Sequence, residues 1–274
     1  MIKSFSYALV LLLVFFSCNE QEKSAVQLLA QAQSHYEAKE YFAAKSCLDS
    51  LKAGYPKQIA EQKQALQLMR RIDLSEQERN LLYMDSLLPI KENEIAELRK
   101  KFVFQKDAQY EDQGKYLSPQ QVELMERQVS CLRSGVREDG LLYLASRYCG
   151  SIPLEHRQII IRLDESTYTQ SQAIPKDGGL NYSFVDGGMY TEIVTYLGEK
   201  AEEVVHFVCD NKDKKLQIEY VGKKHFKMNL SQGDKQSIYL SANLATAMAE
   251  VMKIGLEKEK SSQRIKYLKE KLDY

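Results

Sequence analysis

The pair His206-x-x-Cys209, followed later by His225, has the ligand spacing closest to that of a metal site. Imidazole and thiolate are preferred zinc ligands, but a zinc site needs a third or fourth ligand, and the sequence does not place one. The stretch VVHFVCD around the pair predicts a strand, on which residues three apart face opposite sides of the sheet. We therefore predict neither a metal site nor any other cofactor.

Catalytic motifs are missing from the sequence. It has no Gly-x-Ser-x-Gly elbow, no His-Glu-x-x-His and no glycine-rich phosphate loop before a helix. The Asp-Gly-Gly stretches that begin at Asp177 and Asp186 predict turns, and the paired carboxylates Glu202 and Glu203 lack a second group that would define an acid–base site. We predict no catalytic residue and no enzymatic activity. A hydrolase with a site assembled from scattered residues stays a third alternative, which a deep pocket around His206 or His225 would support.

Cys131 and Cys149 flank a predicted hairpin that turns at Asp139-Gly140. A two-residue loop places Cys131 opposite Tyr148, with Cys149 on the other side of the sheet. A loop longer by one residue places the two cysteines on a diagonal, about 7 Å or more apart, which is too far for an unstrained bond. A disulfide between Cys131 and Cys149 is compatible with an exported chain but is not predicted by the register. Cys47 is expected to pack as a small core residue of its helix.

An apolar run at residues 7–16 follows Lys3 and ends at Ser17-Cys18, before a polar and acidic segment. Its length suits the apolar part of a secretory signal, whereas a membrane-spanning helix needs about 20 apolar residues. The run therefore predicts export of the chain. An ordinary secretory cleavage, in which Cys18 has no special role, is one alternative.

Ser17 and Cys18 at the end of this run resemble the lipobox of bacterial lipoproteins, in which a peptidase cleaves before a cysteine that then carries acyl chains. Phe15 stands where that family usually has Leu. The resemblance implies a signal peptide at 1–17, lipidation of Cys18 with palmitate-type chains, and an anchor and short linker at 18–23. More than one acyl chain gives stable anchoring, at about 0.8 kcal/mol per buried CH₂.

The residues after Cys18 bear on the compartment. Asn19 replaces the Asp that retains lipoproteins in the inner membrane, so the resemblance implies the outer membrane. Glu20 and Glu22 are similar to the acidic signals that direct some lipoproteins to the cell surface. We expect a lipid anchor in the outer membrane, on its periplasmic or its surface face.

Residues 24–101 predict a helical region. Apolar residues recur at helical spacing over 24–56, with a break at Lys39-Glu40 and a stop at Gly54 and Pro56, which predicts two short antiparallel helices. The pattern resembles one degenerate tetratricopeptide repeat, carried by Ala32, Tyr41, Ala44, Leu48 and Pro56, with the usual aromatic displaced to Tyr36 and Leu51 in place of a late Ala. A single repeat needs other elements to cover its faces.

Apolar residues then recur at an interval of seven residues, at Leu74, Leu81, Leu88, Ile95 and Phe102. This interval predicts either an intramolecular bundle on the repeat-like pair or a projecting coiled-coil arm, and both stay open. Pro89 lies inside the interval. Because proline in a helix interior costs about 3 kcal/mol, we expect a kink or a helix junction there.

Residues 102–230 predict an antiparallel β domain of six or seven strands, with turns at Asp139-Gly140, Asp186-Gly187 and Gly222. Ser118 followed by Pro119 predicts the start of a short helix, with Gln121 able to reach back to the cap. A capping box at Ser231 starts a C-terminal helix over 231–274, which we expect to pack on the sheet. Its end carries an apolar stripe that could pair with the helical region, formed by Ile265, Leu268 and Leu272. The predicted fold class is α+β.

The charge balance bears on the partners. The chain has 38 basic and 38 acidic residues, and loss of Lys3 with a signal peptide leaves 37 against 38, a net charge of −1. This balance removes the electrostatic argument for nucleic-acid binding. We predict a non-enzymatic envelope lipoprotein that contacts the membrane through its N-terminal lipid and binds another envelope protein. The alternative is a surface lipoprotein whose β domain binds a glycan or another extracellular ligand, which exposed Tyr on one sheet face would favour.

Overall fold

The structure is a computed structural model that describes residues 23–107, 109 and 111–272. The predicted signal peptide and Cys18 lie outside these residues. The described chain contains six helices and two antiparallel sheets, with helices first and a long helix last, so the predicted α+β class is confirmed. None of the described helices is both long and apolar enough to cross a membrane.

The described residues form two compact units. One contains the residues up to Leu87 and from Ile254 onward, and the other is Leu88–Lys253. The predicted boundary near residue 101 lies between the end of a long helix at Arg99 and the first strand at Val103. Two long helices contribute residues to both units.

The first unit begins with helices α1 (residues 23–37) and α2 (Tyr41–Gly54), followed by α3 (Ile59–Arg99). The predicted break is confirmed, because Lys39 has a φ of 61° between α1 and α2. The predicted stop at Gly54 is also confirmed. Small and branched residues from all three helices form the core of this unit: Ala32, Ala44, Leu48, Leu51, Ala65, Leu68 and Ile72. Cys47 packs against this core, as predicted.

Helix α3 pairs with the last helix, α6 (Gln232–Leu272), within the chain. In the first unit, Asp73 pairs with Arg264 at 2.9 Å and Glu78 with Lys269 at 3.1 Å. Leu268 is fully buried. The predicted return of the C-terminal end is therefore confirmed.

Of the two expectations at Pro89, the helix junction is wrong, because α3 is one continuous helix with Pro89 inside it, and the kink stays a prediction. Ion pairs join α3 to α6 on either side of Pro89, between Asp85 and Lys258 and between Lys91 and Glu250. In the second unit, Ile95 of the seven-residue interval packs with Leu244 and Met248 of α6. Phe102 packs against the same cluster, so these two residues of the interval pack within the second unit.

The second unit contains both sheets, which are antiparallel throughout, as predicted. The six-stranded sheet has the order β1-β2-β3-β4-β8-β7, with β1 Val103–Gln105, β2 Lys115–Leu117, β3 Cys131–Arg137, β4 Leu142–Gly150, β8 Met189–Leu197 and β7 Asn181–Asp186. The four-stranded sheet has the order β10-β9-β5-β6, with β10 His225–Asn229, β9 Gln217–Val221, β5 Gln158–Arg162 and β6 Tyr168–Gln170. The described chain thus has ten strands where six or seven were predicted. Three of the ten, β1, β2 and β6, have only three residues each.

The stretch VVHFVCD is part of helix α5 (Glu199–Asp210), so its prediction as a strand is wrong. Four buried residues, Ala201, Val204, Val205 and Val208, recur at the spacing of one helix face. The β-branched residues favoured a strand in the sequence, but burial of this face against the sheets decided the structure.

The two faces of the six-stranded sheet have different roles. Its inner face packs Leu132, Leu144, Val194 and Tyr196 against Ile161 and other residues of the second sheet, and against α5 and α6. Side chains alternate between faces along a strand. The outer face therefore carries the intervening residues, among them Arg133, Ala145 and Thr195, and forms the floor of a cleft.

Candidate ligand-binding cleft

A cleft of about 550 Å³ lies on the outer face of the six-stranded sheet. Arg133, Ala145 and Thr195 face one another across β3, β4 and β8 and form the middle of its floor. The walls come from helix α4 (Pro119–Met125), from the segment before β2 and from the start of β7. The volume lies within the range of about 300–1,000 Å³ that is typical of small-molecule sites.

Gln121 of α4 lies in the wall of the cleft. Ser118 caps this helix, as predicted, and its hydroxyl accepts a hydrogen bond from the Gln121 backbone N–H at 3.4 Å. The predicted reach of the Gln121 side chain back to the cap is wrong. The side chain is buried, with the residue 1% exposed, and neither its Nε2 nor its Oε1 has a partner in the described structure. A buried amide without partners costs about 1–3 kcal/mol, so it needs an explanation.

Arg133 on β3 is the second polar group without a full set of partners. Its buried Nε has no hydrogen-bond acceptor, and among the described residues its guanidinium has no carboxylate within ion-pair distance. The other two cations of the cleft are occupied. Lys115 pairs with Glu111 at 2.6 Å, and Arg137 donates to Gln113 at 3.0 Å.

The described lining of the cleft has a net positive charge. It contains Lys115, Arg133 and Arg137 against Glu111 and Asp112, and Asp139, just outside the lining, pairs with Arg137 at 2.9 Å. Arg133 is the cation within this set that lacks a partner among the described residues. The cleft is therefore suited to one anionic group.

A glycine and a tyrosine shape the floor beside Arg133. Gly135 is opposite Tyr143 in the register, and a Cβ at Gly135 would come within 2.6 Å of the Tyr143 hydroxyl oxygen. Only glycine leaves room for the ring in this position. Burial raises the pKa of Tyr143 to about 12, so its phenol is neutral at physiological pH.

Arg147 fixes the helix that carries Gln121. This arginine is almost fully buried, and its guanidinium donates to the backbone carbonyls of Leu124, Arg127 and Val129. These carbonyls lie at and after the C-terminal end of α4, where helix carbonyls lack partners within the helix. Arg147 therefore ties α4 to the sheet and holds one wall of the cleft in place.

A second polar constellation, which we call the Ser146 network, lies on the inner face of the same sheet. Ser146 Oγ is 2.9 Å from His156 Nε2, and His156 Nδ1 is 2.8 Å from Glu192 Oε2. Glu192 also accepts hydrogen bonds from the backbone N–H groups of Leu154, Glu155 and His156 at 2.7 to 2.9 Å. This order of serine, histidine and carboxylate is that of a nucleophilic site.

The hydrogen bonds set the charge of Glu192. Burial raises its pKa, but hydrogen bonds from the His156 side chain and from three backbone amides outweigh burial and lower the pKa to about 2. Glu192 is therefore ionised at physiological pH, and its charge is held by the donors around it.

The Ser146 network is closed to substrate. Ser146 is fully buried and His156 is 1% exposed, and the adjoining cavity has a volume of only about 20 Å³. Ser146 lies in the middle of β4 and not on an exposed turn. The arrangement therefore pairs buried polar groups with one another and stabilises the core.

The structure separates the residues of the predicted metal-like group. His206 and Cys209 both line a groove of about 420 Å³ beside α6, because residues three apart on a helix share a face. The prediction that His206 and Cys209 face opposite sides of a strand is therefore wrong. His225 lies elsewhere, on β10, with its Nδ1 2.8 Å from Glu219 Oε1. Within the described residues, no three His, Cys, Asp or Glu side chains are grouped to hold a metal ion.

The loop of the β3–β4 hairpin is one residue longer than Asp139-Gly140 and consists of residues 138–140. Arg137 N–H donates to Leu141 O, which places Cys131 opposite Arg147 and diagonal to Cys149. Both residues are free cysteines in the structure. Cys149 instead has its sulfur 3.5 Å from the Thr191 hydroxyl oxygen.

The predicted turns are confirmed. Asp177 Oδ1 accepts hydrogen bonds from the backbone N–H groups of Gly179 and Asn181, and these bonds close the turn. The β7–β8 hairpin turns at Gly187-Gly188, one residue later than predicted, and both glycines have positive φ.

Comparison with protein-family models, with curated proteins and with solved structures found no match to this chain. Its function must therefore be inferred from its own residues. The sequence did not identify Gln121 or Arg133 as site residues, nor the members of the Ser146 network. The signal in the sequence would have been a polar residue at a buried position of a predicted helix, Gln121, together with a charged residue on a predicted strand, Arg133.

Proposed function

We propose that this protein is a non-enzymatic binding protein of the bacterial cell envelope, anchored through lipidated Cys18, whose β-rich unit binds a small ligand in the cleft. One observation carries the binding function, namely that both side-chain amide atoms of Gln121 are buried in the cleft wall without partners. A ligand that hydrogen-bonds to this amide would remove its desolvation penalty. Half-exposed Tyr182 at the mouth of the cleft, stacked on Phe184, supports the ligand-binding alternative drawn from the sequence.

The chemistry of the cleft favours binding over catalysis. Its described lining contains no histidine, serine or cysteine, the Glu111 carboxylate is paired with Lys115, and the Tyr143 phenol has its pKa raised to about 12. The hydrogen-bonded serine, histidine and carboxylate of the Ser146 network are buried beneath the other face of the sheet. The proposed role is therefore recognition without turnover.

A second candidate function is the binding of another envelope protein by the helical unit. Val26 of α1 and Leu66 of α3 are about half exposed, at 49% and 52%, and they line a groove between these two helices. Exposed apolar side chains in a groove are typical of protein contact sites. This function is compatible with ligand binding in the other unit.

A ligand screen observed by methyl NMR tests the binding function. Ala145, Ile193 and Thr195 each carry a methyl group into the cleft lining. We expect their resonances to shift when small carboxylates, amides or sugars are added to the full chain. The Ala145→Leu variant, which fills the floor, should lose the response.

Ala249→Leu is the matched control, because Ala249 is exposed and lines the other groove. Shifts that cluster around Ala249, or a response that survives Ala145→Leu, would place the ligand outside the cleft. If Ala145→Leu fails to fold, Thr195→Leu fills the same floor from the next strand.

Fatty-acid labelling with membrane fractionation tests the anchor. We expect wild-type protein to carry label and to sediment with membranes, and Cys18→Ser to lose both. Cys47→Ser is the matched control and should keep both. A wild type that is unlabelled and freely soluble would contradict the lipoprotein assignment.

A further inference from the structure

From the cleft we infer the chemical class of its ligand, and this inference rests on the proposed function. We propose that the cleft binds the carboxyl-terminal end of a short peptide, with the carboxylate on Arg133, the adjacent amide on Gln121 and an apolar side chain against the sheet. Each of the three contacts follows from a different feature of the lining.

Arg133 provides the contact for the carboxylate. Its fork of N–H donors matches the two oxygens of a carboxylate, and this pairing gives direction as well as energy. Lys115 pairs with Glu111 and Arg137 with Asp139, so the cation of the described lining that is left without an ion-pair partner is Arg133, with one positive charge. A single carboxylate neutralises that charge. A phosphate monoester carries about −1.5 to −2 at neutral pH and would leave an excess of negative charge.

Gln121 provides the contact for an amide. Its side chain has an oxygen that accepts and a nitrogen that donates, and both are buried without partners. A ligand carboxylate can only accept, so it would leave the Gln121 oxygen unsatisfied. A peptide group offers one N–H and one C=O and satisfies both atoms.

The apolar part of the lining favours a peptide over an acidic sugar. Met125, Leu180, Ile193 and Leu197 line the cleft together with Ala145. A sugar would place several hydroxyl groups against these side chains, where they would lose their hydrogen bonds to water. A leucine-like side chain would bury apolar surface there instead.

The test uses N-acetyl-alanyl-leucine and its carboxamide as probes, titrated into the full chain by calorimetry. We expect the free acid to bind roughly ten- to a hundredfold more tightly than the carboxamide, because a charged hydrogen-bonded pair is lost in the latter. Arg133→Gln should abolish this preference, and Arg133→Lys should restore part of it. Arg127→Gln is the matched control, because Arg127 is exposed and is not part of the cleft lining.

Two further probes separate the remaining classes. Gln121→Leu should weaken the peptide acid while leaving decanoate, which has a carboxylate and an apolar chain but no amide, unchanged. Equal binding of acid and carboxamide would overturn the inference, as would binding of glucuronate with no binding of the peptide.

The outcomes also separate this inference from the proposed function. If none of these probes binds while another compound of the NMR screen shifts Ala145 and Thr195, the peptide inference fails and ligand binding stands. If no compound shifts the cleft resonances at all, both fail.

Discussion

Ser146 and Ala145 are neighbours in the chain, yet they belong to two different polar regions on opposite faces of one sheet. Ser146 faces the interior, where His156 and Glu192 complete a closed hydrogen-bonded network. Ala145 faces the cleft, where Gln121 and Arg133 retain unpartnered groups. The first region has the side-chain order of a catalytic site but is closed to solvent, and the second has an open cleft whose wall and floor contain buried polar atoms without partners.

The comparison shows that side chains in a catalytic order do not by themselves indicate a functional site. Three side chains in the order of a nucleophilic site can have a structural role, which is to give buried polar groups their hydrogen-bond partners. Glu192 also accepts hydrogen bonds from three backbone N–H groups that would otherwise lack partners. A polar group that is buried and unpartnered in the lining of a cleft has no such structural benefit. Substitutions in the two regions should therefore have different effects on stability and on ligand binding.

Glu192→Ala should lower the free energy of unfolding by about 4 kcal/mol, because it leaves three backbone donors and His156 without their acceptor in the core. Urea denaturation followed by circular dichroism measures this change. Glu203→Ala on the exposed side of α5 is the matched control and should change stability by less than about 0.5 kcal/mol. A loss below about 1 kcal/mol for Glu192→Ala would show that the network does not stabilise the core.

Asp234 at the start of α6 is a buried carboxylate whose Oδ1 lacks a partner in the described structure, unlike the fully paired Glu192. Burial raises its pKa from 3.8 to about 6, although hydrogen bonds from Ser231 and Leu132 oppose the shift. The folded state therefore holds this proton more tightly than the unfolded state. The associated stability is present below pH 3.8 and is lost as pH rises to about 6.

We expect Asp234→Asn to be more stable than wild type at pH 7, by up to about 3 kcal/mol. The free energy of unfolding of the wild type should decline between pH 4.5 and 7, and that of the variant should not. Glu192 does not contribute in this window, because its pKa of about 2 confines its effect to pH below 4.5. Denaturation curves at several pH values provide the measurement. A wild-type stability that rises across this window would contradict the assignment.

Ser146→Ala should have a small effect, a loss of about 1 kcal/mol in stability, with no change in ligand binding by the cleft. Its hydroxyl contacts His156 and, at 3.4 Å, the Val194 carbonyl oxygen. Thermal unfolding and the NMR screen measure the two properties. Any hydrolytic activity of the wild type that disappears in this variant would identify the Ser146 network as an active site.

Much of the fold could be predicted from local signals. The cap at Ser118, the capping box at Ser231 and the turn at Lys39-Glu40 each depend on a few adjacent residues, and all three are present. The apolar stripe that contains Leu268 correctly predicted the return of the last helix. These features were predictable because their determinants lie close together in the sequence.

Errors arose where distant contacts decide the structure. Helix α5 has strand-like residues, but Val204 and Val208 are buried against both sheets, which no local pattern reveals. Helix α3 continues through Pro89, and the ion pairs that flank this residue are made to Lys258 and Glu250 of α6, which are far away in the chain. The cleft depends on the register that brings Arg133 to Ala145 and Thr195, and on the placement of α4 by Arg147.

The most direct test of the central claim, that unpartnered groups of the cleft serve a ligand, is to measure unfolding free energy and ligand affinity together for Gln121→Leu. If Gln121 serves a ligand, the variant should be as stable as wild type or up to about 2 kcal/mol more stable, because a buried unpartnered amide has been removed. Its affinity for the best ligand of the screen should fall at least about tenfold. A variant that loses stability and keeps full affinity would show that Gln121 belongs to the structure and not to a binding site.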